Sequence, residues 1–150
     1  METTLGDVAT IRVLVVEDEF LICDWVAEAL AEQGFAVHTV SNAVDALRHL
    51  ASAPVDVLFT DINLPGGMDG AALARHARDI IPGLAVVYAS ARVMPDALTR
   101  VPGSIFVPKP YAPAHVGRIL ASTLNPAVRL RSGVIESLAP RCLLERIGRS

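Results

Sequence analysis

Short apolar runs alternate along the chain with longer stretches in which apolar residues recur at helical spacing. The runs of strand length cover residues 11–16, 35–40, 55–60, 84–89 and 105–107. The helical stretches cover residues 20–33, 42–51, 69 or 70 to 80, and 113–124. Continuously apolar strands separated by helices are typical of a parallel sheet that is covered on both faces. The pattern therefore predicts an α/β domain with a doubly wound, five-stranded parallel sheet.

Residues at the ends of these elements support the same boundaries. Gly34 follows the first helix at the position where a left-handed backbone costs least. Ser41 is the expected N-cap of the second helix, and Pro113 suits the first turn of the last one. Between Pro95 and Pro102 only residues 96–101 remain for a further helix, so we expect this fourth helix to be short or irregular.

Composition narrows the class of protein. The chain has 150 residues, of which 52% are hydrophobic and 19% charged, so it suits one domain with a sizeable core. Its apolar runs are too short to span a bilayer, and its start lacks the features of a secretory signal, so we expect no membrane association. Two distant cysteines exclude a disulfide framework and favour a cytoplasmic location.

Charge is distributed unevenly. Residues 1–125 carry 8 basic and 14 acidic residues, whereas residues 126–150 carry 5 arginines and 2 glutamates. An acidic body argues against nucleic acid as a partner. The tail, residues 125–150, mixes its arginines with apolar residues as an amphipathic segment does, and residues 1–10 form an N-terminal extension. Packing on its own domain, exchange into a homodimer, binding of a partner and a flexible extension that packs on nothing all remain open for the tail.

Polar residues suited to metal or phosphate chemistry follow four of the five predicted strands. Glu17 and Asp18 follow the first, Asp61 the third, Ser90 the fourth and Lys109, the only lysine, the fifth. The carboxyl ends of parallel strands form the edge where such sheets bind ligands. Carboxylates there suit Mg²⁺, while a hydroxyl and an ammonium group suit phosphoryl oxygens. Asp61 is then a candidate nucleophile that accepts a phosphoryl group.

Each of these residues also has a simpler interpretation. Asp61 could form a turn, Ser90 could cap a helix, and Glu17, Asp18 and Lys109 could be solvated charges. It is their joint placement at strand ends that favours a common site. Pro110 also permits a cis peptide bond after the lysine, which would direct its side chain towards the strand ends.

These motifs resemble the receiver domain of bacterial two-component response regulators over residues 11–124. The matching segments are VLVVEDE (13–19), TDINLP (60–65), MDG (68–70), ASA (89–91) and FVPKP (106–110). The resemblance implies the flavodoxin-like strand order 2-1-3-4-5. It also implies a regulatory phosphoacceptor, not an enzyme, whose phosphodonor is a sensor histidine kinase or a histidine phosphotransfer protein.

The resemblance also implies roles for individual residues. Asp61 is the phosphoacceptor, and Mg²⁺ is bound by Asp18, Asp61, the Asn63 backbone carbonyl and, through water, Glu17. Ser90 and Lys109 contact the phosphoryl group, and the Phe106 ring changes rotamer with phosphorylation. Asn63 and Arg92 are candidates for tuning dephosphorylation, although Arg92 could equally be a solvent-facing loop residue.

Two features depart from the usual receiver pattern. The loop at residues 64–70 is rich in glycine and has one residue more than usual, and the interval between Ser90 and Lys109 is short.

Two alternative functions remain: an interaction module that does not use phosphorylation, and a metal-dependent phosphohydrolase with Asp61 as nucleophile. Such hydrolases usually have a second carboxylate two residues after the nucleophile, where this chain has Asn63.

Overall fold

The apolar runs pair side by side as parallel strands in the computed structural model, which describes residues 10–91 and 100–122. The strands are β1 (Arg12–Val16), β2 (Ala36–Val40), β3 (Val57–Asp61), β4 (Ala85–Ser90) and β5 (Ile105–Pro108). They form one sheet in the order β2-β1-β3-β4-β5, all parallel. The helices are α1 (Phe20–Glu32), α2 (Ala43–Ser52), α3 (Gly70–Ile80) and α4 (Pro113–Ser122).

Two hydrophobic cores lie on opposite faces of the sheet, which explains why the strands are apolar throughout. Alternate strand residues point to opposite faces. Leu14 and Leu58 pack against α2 and α3 in one core, whereas Val13, Val57 and Phe59 pack against α1 and α4 in the other. Each face of the sheet is therefore covered by a pair of the described helices, which leaves the strand ends as the place on the sheet where ligands can bind.

The doubly wound sheet and its strand order are confirmed, with small shifts at the element ends. Asp61 and Ser90 are the last residues of their strands, not the first residues after them. The expectation that Ser41 caps the second helix is wrong: Asn42 is the N-cap, and its side chain accepts a hydrogen bond from the Asp45 N–H at 2.8 Å. Asn42 occupies this role because it directly precedes the first helical residue.

Some predictions fall on residues outside the described ranges. These are Arg92, residues 96–99 of the short helix predicted at 96–101, the tail at 125–150, and the extension at 1–10 except its last residue. Among the helices that the structure describes, none combines the length and hydrophobicity needed to cross a bilayer.

The loop between β3 and α3 depends on glycine at specific positions. Gly66 and Gly67 have φ values of 90° and 88°, in the left-handed region that the glycine-rich sequence predicts. Asp69 caps α3 by accepting a hydrogen bond from the Ala72 N–H at 2.8 Å. A Cβ at Gly70 would overlap the backbone carbonyl of Asp61, so a glycine there lets α3 begin directly against the end of β3.

A fully buried tyrosine connects β4 to the segment before β5. The Tyr88 hydroxyl accepts a hydrogen bond from the Val101 N–H at 3.1 Å, and Tyr88 is 0% exposed. From α3, Arg78 donates to the carbonyls of Leu84 and Pro102 at 2.7 and 2.9 Å. Side-chain hydrogen bonds thus hold the chain that enters β5 in place.

We expect Tyr88→Phe to lower the free energy of unfolding by about 1–3 kcal/mol, because the buried Val101 N–H loses its acceptor. Urea unfolding followed by circular dichroism measures this loss. Tyr111→Phe is the comparison, because the Tyr111 ring packs edge to face on Phe59 and its hydroxyl forms no hydrogen bond within the described residues. Equal losses in the two variants would contradict the assigned role of the Tyr88 hydroxyl.

Candidate functional site

Three carboxylates meet at the carboxyl edge of the sheet, where β1 and β3 end side by side. Glu17, Asp18 and Asp61 each offer an oxygen atom, and these oxygens all lie within 4.8 Å of one another. Glu17 and Asp61 are 4% and 8% exposed, whereas Asp18 is exposed. The neighbouring strands β1 and β3 position all three, since Val16 pairs with Thr60 directly before the acids.

The single lysine of the chain neutralises part of this negative charge. Lys109 Nζ donates to Glu17 Oε1 at 3.0 Å and to Asp61 Oδ2 at 3.1 Å. The lysine backbone N–H donates to the Ser90 carbonyl at 2.9 Å, which extends the pairing of β4 and β5 by one residue. The following bond, Lys109–Pro110, is cis, as the sequence permits. One ammonium group therefore bridges the ends of β1 and β3 from the end of β5.

Burial and neighbouring charges have opposing effects on the pKa values of Glu17 and Lys109. Burial raises the pKa of Glu17 above its ordinary value, although the hydrogen bond from Lys109 partly offsets this. Burial alone would lower the pKa of Lys109, but its hydrogen bonds to Glu17 and Asp61 outweigh burial and raise that pKa. Lys109 is therefore a permanent cation at physiological pH, held against two carboxylates.

Asn63 and Ser90 border the Asp61 carboxylate. The Asn63 N–H donates to Asp61 Oδ1 at 3.4 Å, and Asn63 Nδ2 donates to the Ser90 hydroxyl at 3.4 Å. Ser90 is 1% exposed. Both distances are at the long end of the hydrogen-bond range.

Two aromatic residues near the site have different positions. Phe106, predicted from the resemblance, is half-buried, pairs with Tyr88 in the sheet, and packs against the core under α2 and α3. Tyr111 was not predicted. Burial, followed by the charges of Glu17 and Asp61, raises its pKa, so its hydroxyl stays protonated beside the acids. The only sequence signal for Tyr111 is an aromatic residue two positions after the lysine.

The structure therefore brings together six of the eight candidate residues. Those that meet at the edge are Glu17, Asp18, Asp61, Asn63, Ser90 and Lys109. Phe106 lies farther from that edge, since it pairs with Tyr88, two residues before Ser90 at the end of β4. Arg92 is outside the described ranges. Carboxylate oxygens are the hard ligands that Mg²⁺ prefers, so the donor set fits that cation.

Comparison with known proteins identifies this arrangement. The family model "Response regulator receiver domain" matches residues 13–120, which include all six of these residues. The chain belongs to the response-regulator receiver family. Receiver domains are regulatory modules of two-component systems, they interact with histidine kinases and phosphotransfer proteins, and phosphorylation and Mg²⁺ are standard features of the family.

Relatives of this receiver domain differ in what else their chains contain. It is 39% identical over 103 residues to the DNA-binding transcriptional regulator NtrC of Escherichia coli K12, covering 66% of this chain and 22% of NtrC. It is 33% identical over 119 residues to the sensor protein TorS of the same strain, covering 77% of this chain and 13% of TorS. The chain thus spans less than a quarter of either relative.

Solved structures agree with the fold. A response regulator receiver protein from Sinorhizobium medicae is 29% identical, with a TM-score of 0.69, and the match covers 81% of this chain and 97% of that one. The receiver domain of the hybrid histidine kinase CckA is 26% identical, with a TM-score of 0.67, over 76% and 99% of the two chains. The chain thus matches nearly the whole length of both receiver structures.

Removing the lysine should make stability depend on pH. In Lys109→Met, Glu17 and Asp61 lose their counter-ion, so the pKa of Glu17 rises further above that of the unfolded chain. A carboxyl group with a raised folded pKa costs stability once the pH exceeds the unfolded value of 4.5. We therefore expect the free energy of unfolding to fall only slightly at pH 4.5 and by about 3 kcal/mol at pH 7.5.

Urea unfolding of the variant and the wild type at both pH values measures this difference. Lys109→Arg is the matched control, since it keeps the positive charge and should lose less stability at pH 7.5. An equal loss at the two pH values in Lys109→Met would contradict the electrostatic role.

Proposed function

We propose that this chain is a stand-alone, single-domain response regulator that accepts a phosphoryl group on Asp61. Its donor is a sensor histidine kinase or a histidine phosphotransfer protein, and its output is contact with another protein or removal of phosphate from a relay. The observation that carries the proposal is Lys109 Nζ, which lies 3.0 Å from Glu17 and 3.1 Å from Asp61 beside the exposed Asp18. On this proposal the receiver domain is residues 11–124, and the cytoplasm is its location.

Phosphoryl transfer forms one bond at Asp61 and breaks one bond in the donor. One Asp61 oxygen forms a bond to phosphorus while phosphorus loses its bond to the donor atom, which is a histidine nitrogen or the bridging oxygen of acetyl phosphate. The product is a mixed anhydride plus the freed donor. Before the reaction, Lys109 holds the carboxylate in a fixed position, and afterwards its ammonium group pairs with a phosphoryl oxygen.

Mg²⁺ supplies charge neutralisation between the acidic residues and the incoming phosphoryl group. Asp18, Asp61 and the Asn63 backbone carbonyl would hold the ion, and Glu17 would act through water. The exposed position of Asp18 and the 4.8 Å span of the carboxylate oxygens support this set. The solved structure of the Thermotoga maritima response regulator TrrA in complex with Mg²⁺ and BeF adds a likeness of fold, at 24% identity and a TM-score of 0.67.

The phosphorylated state differs in the placement of Ser90 and Phe106. The phosphoryl group adds acceptor oxygens that attract the Ser90 hydroxyl, which lies 3.4 Å from Asn63 Nδ2. Movement of Ser90 frees space on the side of the sheet where Phe106 packs, and the ring can fill it. Asn63 and Arg92 remain the candidates for tuning the lifetime of the phosphoryl group.

The alternatives receive less support. A phosphohydrolase lacks its acid/base here, because the residue two positions after Asp61 is Asn63. A module independent of phosphorylation gives no reason to bury Glu17 and Asp61 around one ammonium group, which costs desolvation free energy.

We expect Asp61→Ala to abolish phosphorylation by acetyl phosphate in the presence of Mg²⁺, because no other carboxylate occupies this position between Lys109 and Asn63. Phosphate-affinity gel electrophoresis of the intact protein detects the product. Asp69→Asn is the matched control, since it removes a nearby charge while keeping an N-cap for α3, and it should be labelled like the wild type. Undiminished labelling of Asp61→Ala would refute the assignment.

We expect Asp18→Ala to weaken Mg²⁺ binding by at least about tenfold, because one direct carboxylate ligand is lost. The fluorescence of Trp25, the only tryptophan, reports the titration, since Trp25 lines the same pocket as Lys109. Asp24→Ala, an exposed acid on α1, is the control and should leave the titration unchanged. Equal Mg²⁺ affinity in wild type and Asp18→Ala would contradict the ligand set.

A further inference from the structure

An apolar surface with an acidic border lies beside the candidate site. The α1 patch, as we name it, consists of Phe20, Leu21 and Trp25, which are 76%, 78% and 55% exposed. These are three of the five large hydrophobic residues that are exposed in the described part of the chain. Such a contiguous apolar surface marks a binding site more often than a scattered exposed residue does.

The patch continues into a pocket that reaches the site. This pocket has a volume of about 260 Å³, and Trp25 shares it with Ala91, Lys109 and Tyr111. Ala91 directly follows the buried Ser90, and Lys109 binds Asp61. Whatever covers the α1 patch therefore borders the access to Asp61.

Acidic residues surround the patch on the same exposed helix face. Leu21 and Trp25 are four residues apart, and Asp24 and Glu28 each follow one of them by three residues, so the four side chains are neighbours. Helix α1 contains no lysine or arginine. The surface therefore suits an occupant that alternates apolar with basic residues.

We propose that residues 128–138 of this chain's own tail dock on the α1 patch. This segment carries two arginines, Arg129 and Arg131, and one acid, Glu136, among its apolar residues Val128, Leu130, Val134, Ile135 and Leu138. Its arginines match Asp24 and Glu28, and its apolar residues match Leu21 and Trp25. The rest of the tail, residues 139–150, also mixes arginines with apolar residues, but residues 128–138 follow α4 more closely in the chain.

The path of the chain allows this contact. Helix α4 begins beside the patch, because Pro110 and Tyr111 line the same pocket as Trp25. It runs alongside α1, since Gly117 lies against the Gln33 side chain at the far end of that helix. The 10 residues of α4 span about 15 Å, and the five residues from 123 to 127 can span about 17 Å when extended. Pro126 disfavours continuation of the helix, so the chain can turn back.

Trp25 gives a direct test, because it is the only tryptophan and belongs to the α1 patch. We expect acrylamide to quench Trp25 poorly in the full chain and about twofold better in Leu21→Asp, because an apolar contact with the ring is lost. Val44→Asp is the matched control: Val44 is 56% exposed but lies on α2, so quenching should not change.

A charge exchange tests the partner. Arg129→Glu with Arg131→Glu should raise quenching, and adding Asp24→Arg with Glu28→Arg should restore protection, because the opposite charges again face each other. Salt at 1 M should also raise quenching in the wild type, since screening then acts within about 3 Å. Failure of the exchanged charges to restore protection would overturn the assigned pairing.

Two other occupants of the α1 patch would give different quenching of Trp25. Protection that weakens over about a hundredfold dilution indicates the tail of a second copy and overturns the intramolecular contact. A Trp25 that is fully quenchable in the wild type overturns tail docking altogether and leaves the patch open to another protein, such as the phosphodonor. None of these measurements uses phosphorylation, so the result is independent of whether Asp61 accepts a phosphoryl group.

Discussion

The balance of charge around Lys109 is the constraint on which the rest of the site depends. Two buried carboxylates at the ends of separate strands would repel each other strongly in a medium of low polarity. The ammonium group satisfies both, at 3.0 and 3.1 Å, but only if β5 ends at the same edge as β1 and β3. Because removal of water from such a cluster is costly, its presence is better explained by chemistry than by stability.

The two cores fix where these charges lie. In β3, Val57 and Phe59 face the core under α1 and α4, and Asp61 continues the same alternation. A shift of one residue would place Asp61 on the opposite face of the sheet and separate it from Lys109. The apolar strands therefore determine the geometry of the polar edge, and the close contact at Gly70 determines how near α3 begins.

Much of this arrangement could be predicted from sequence, because it follows from periodicity. Apolar runs of strand length gave the five strands, and their order in the α/β pattern placed Asp61 and Lys109 at one edge. Details that depend on three-dimensional contacts could not be predicted. Ser41 and Asn42 are both good caps, and only the backbone decides between them. Tyr88 reads as an ordinary core residue until its hydroxyl is found 3.1 Å from the Val101 N–H.

Tyr111 is a second feature that could not be predicted from the sequence. Its ring packs on Phe59, and burial together with the charges of Glu17 and Asp61 raises the pKa of its hydroxyl, yet none of these residues is local in sequence. The same residue lines the pocket that continues into the α1 patch. The α1 patch and the acidic site are adjacent because of the order of the elements along the chain. Helix α1 begins three residues after Glu17, so its first two turns must lie beside the acids. The apolar residues exposed on those turns, where we propose that the tail docks, therefore lie at the same edge where Asp61 and Lys109 meet.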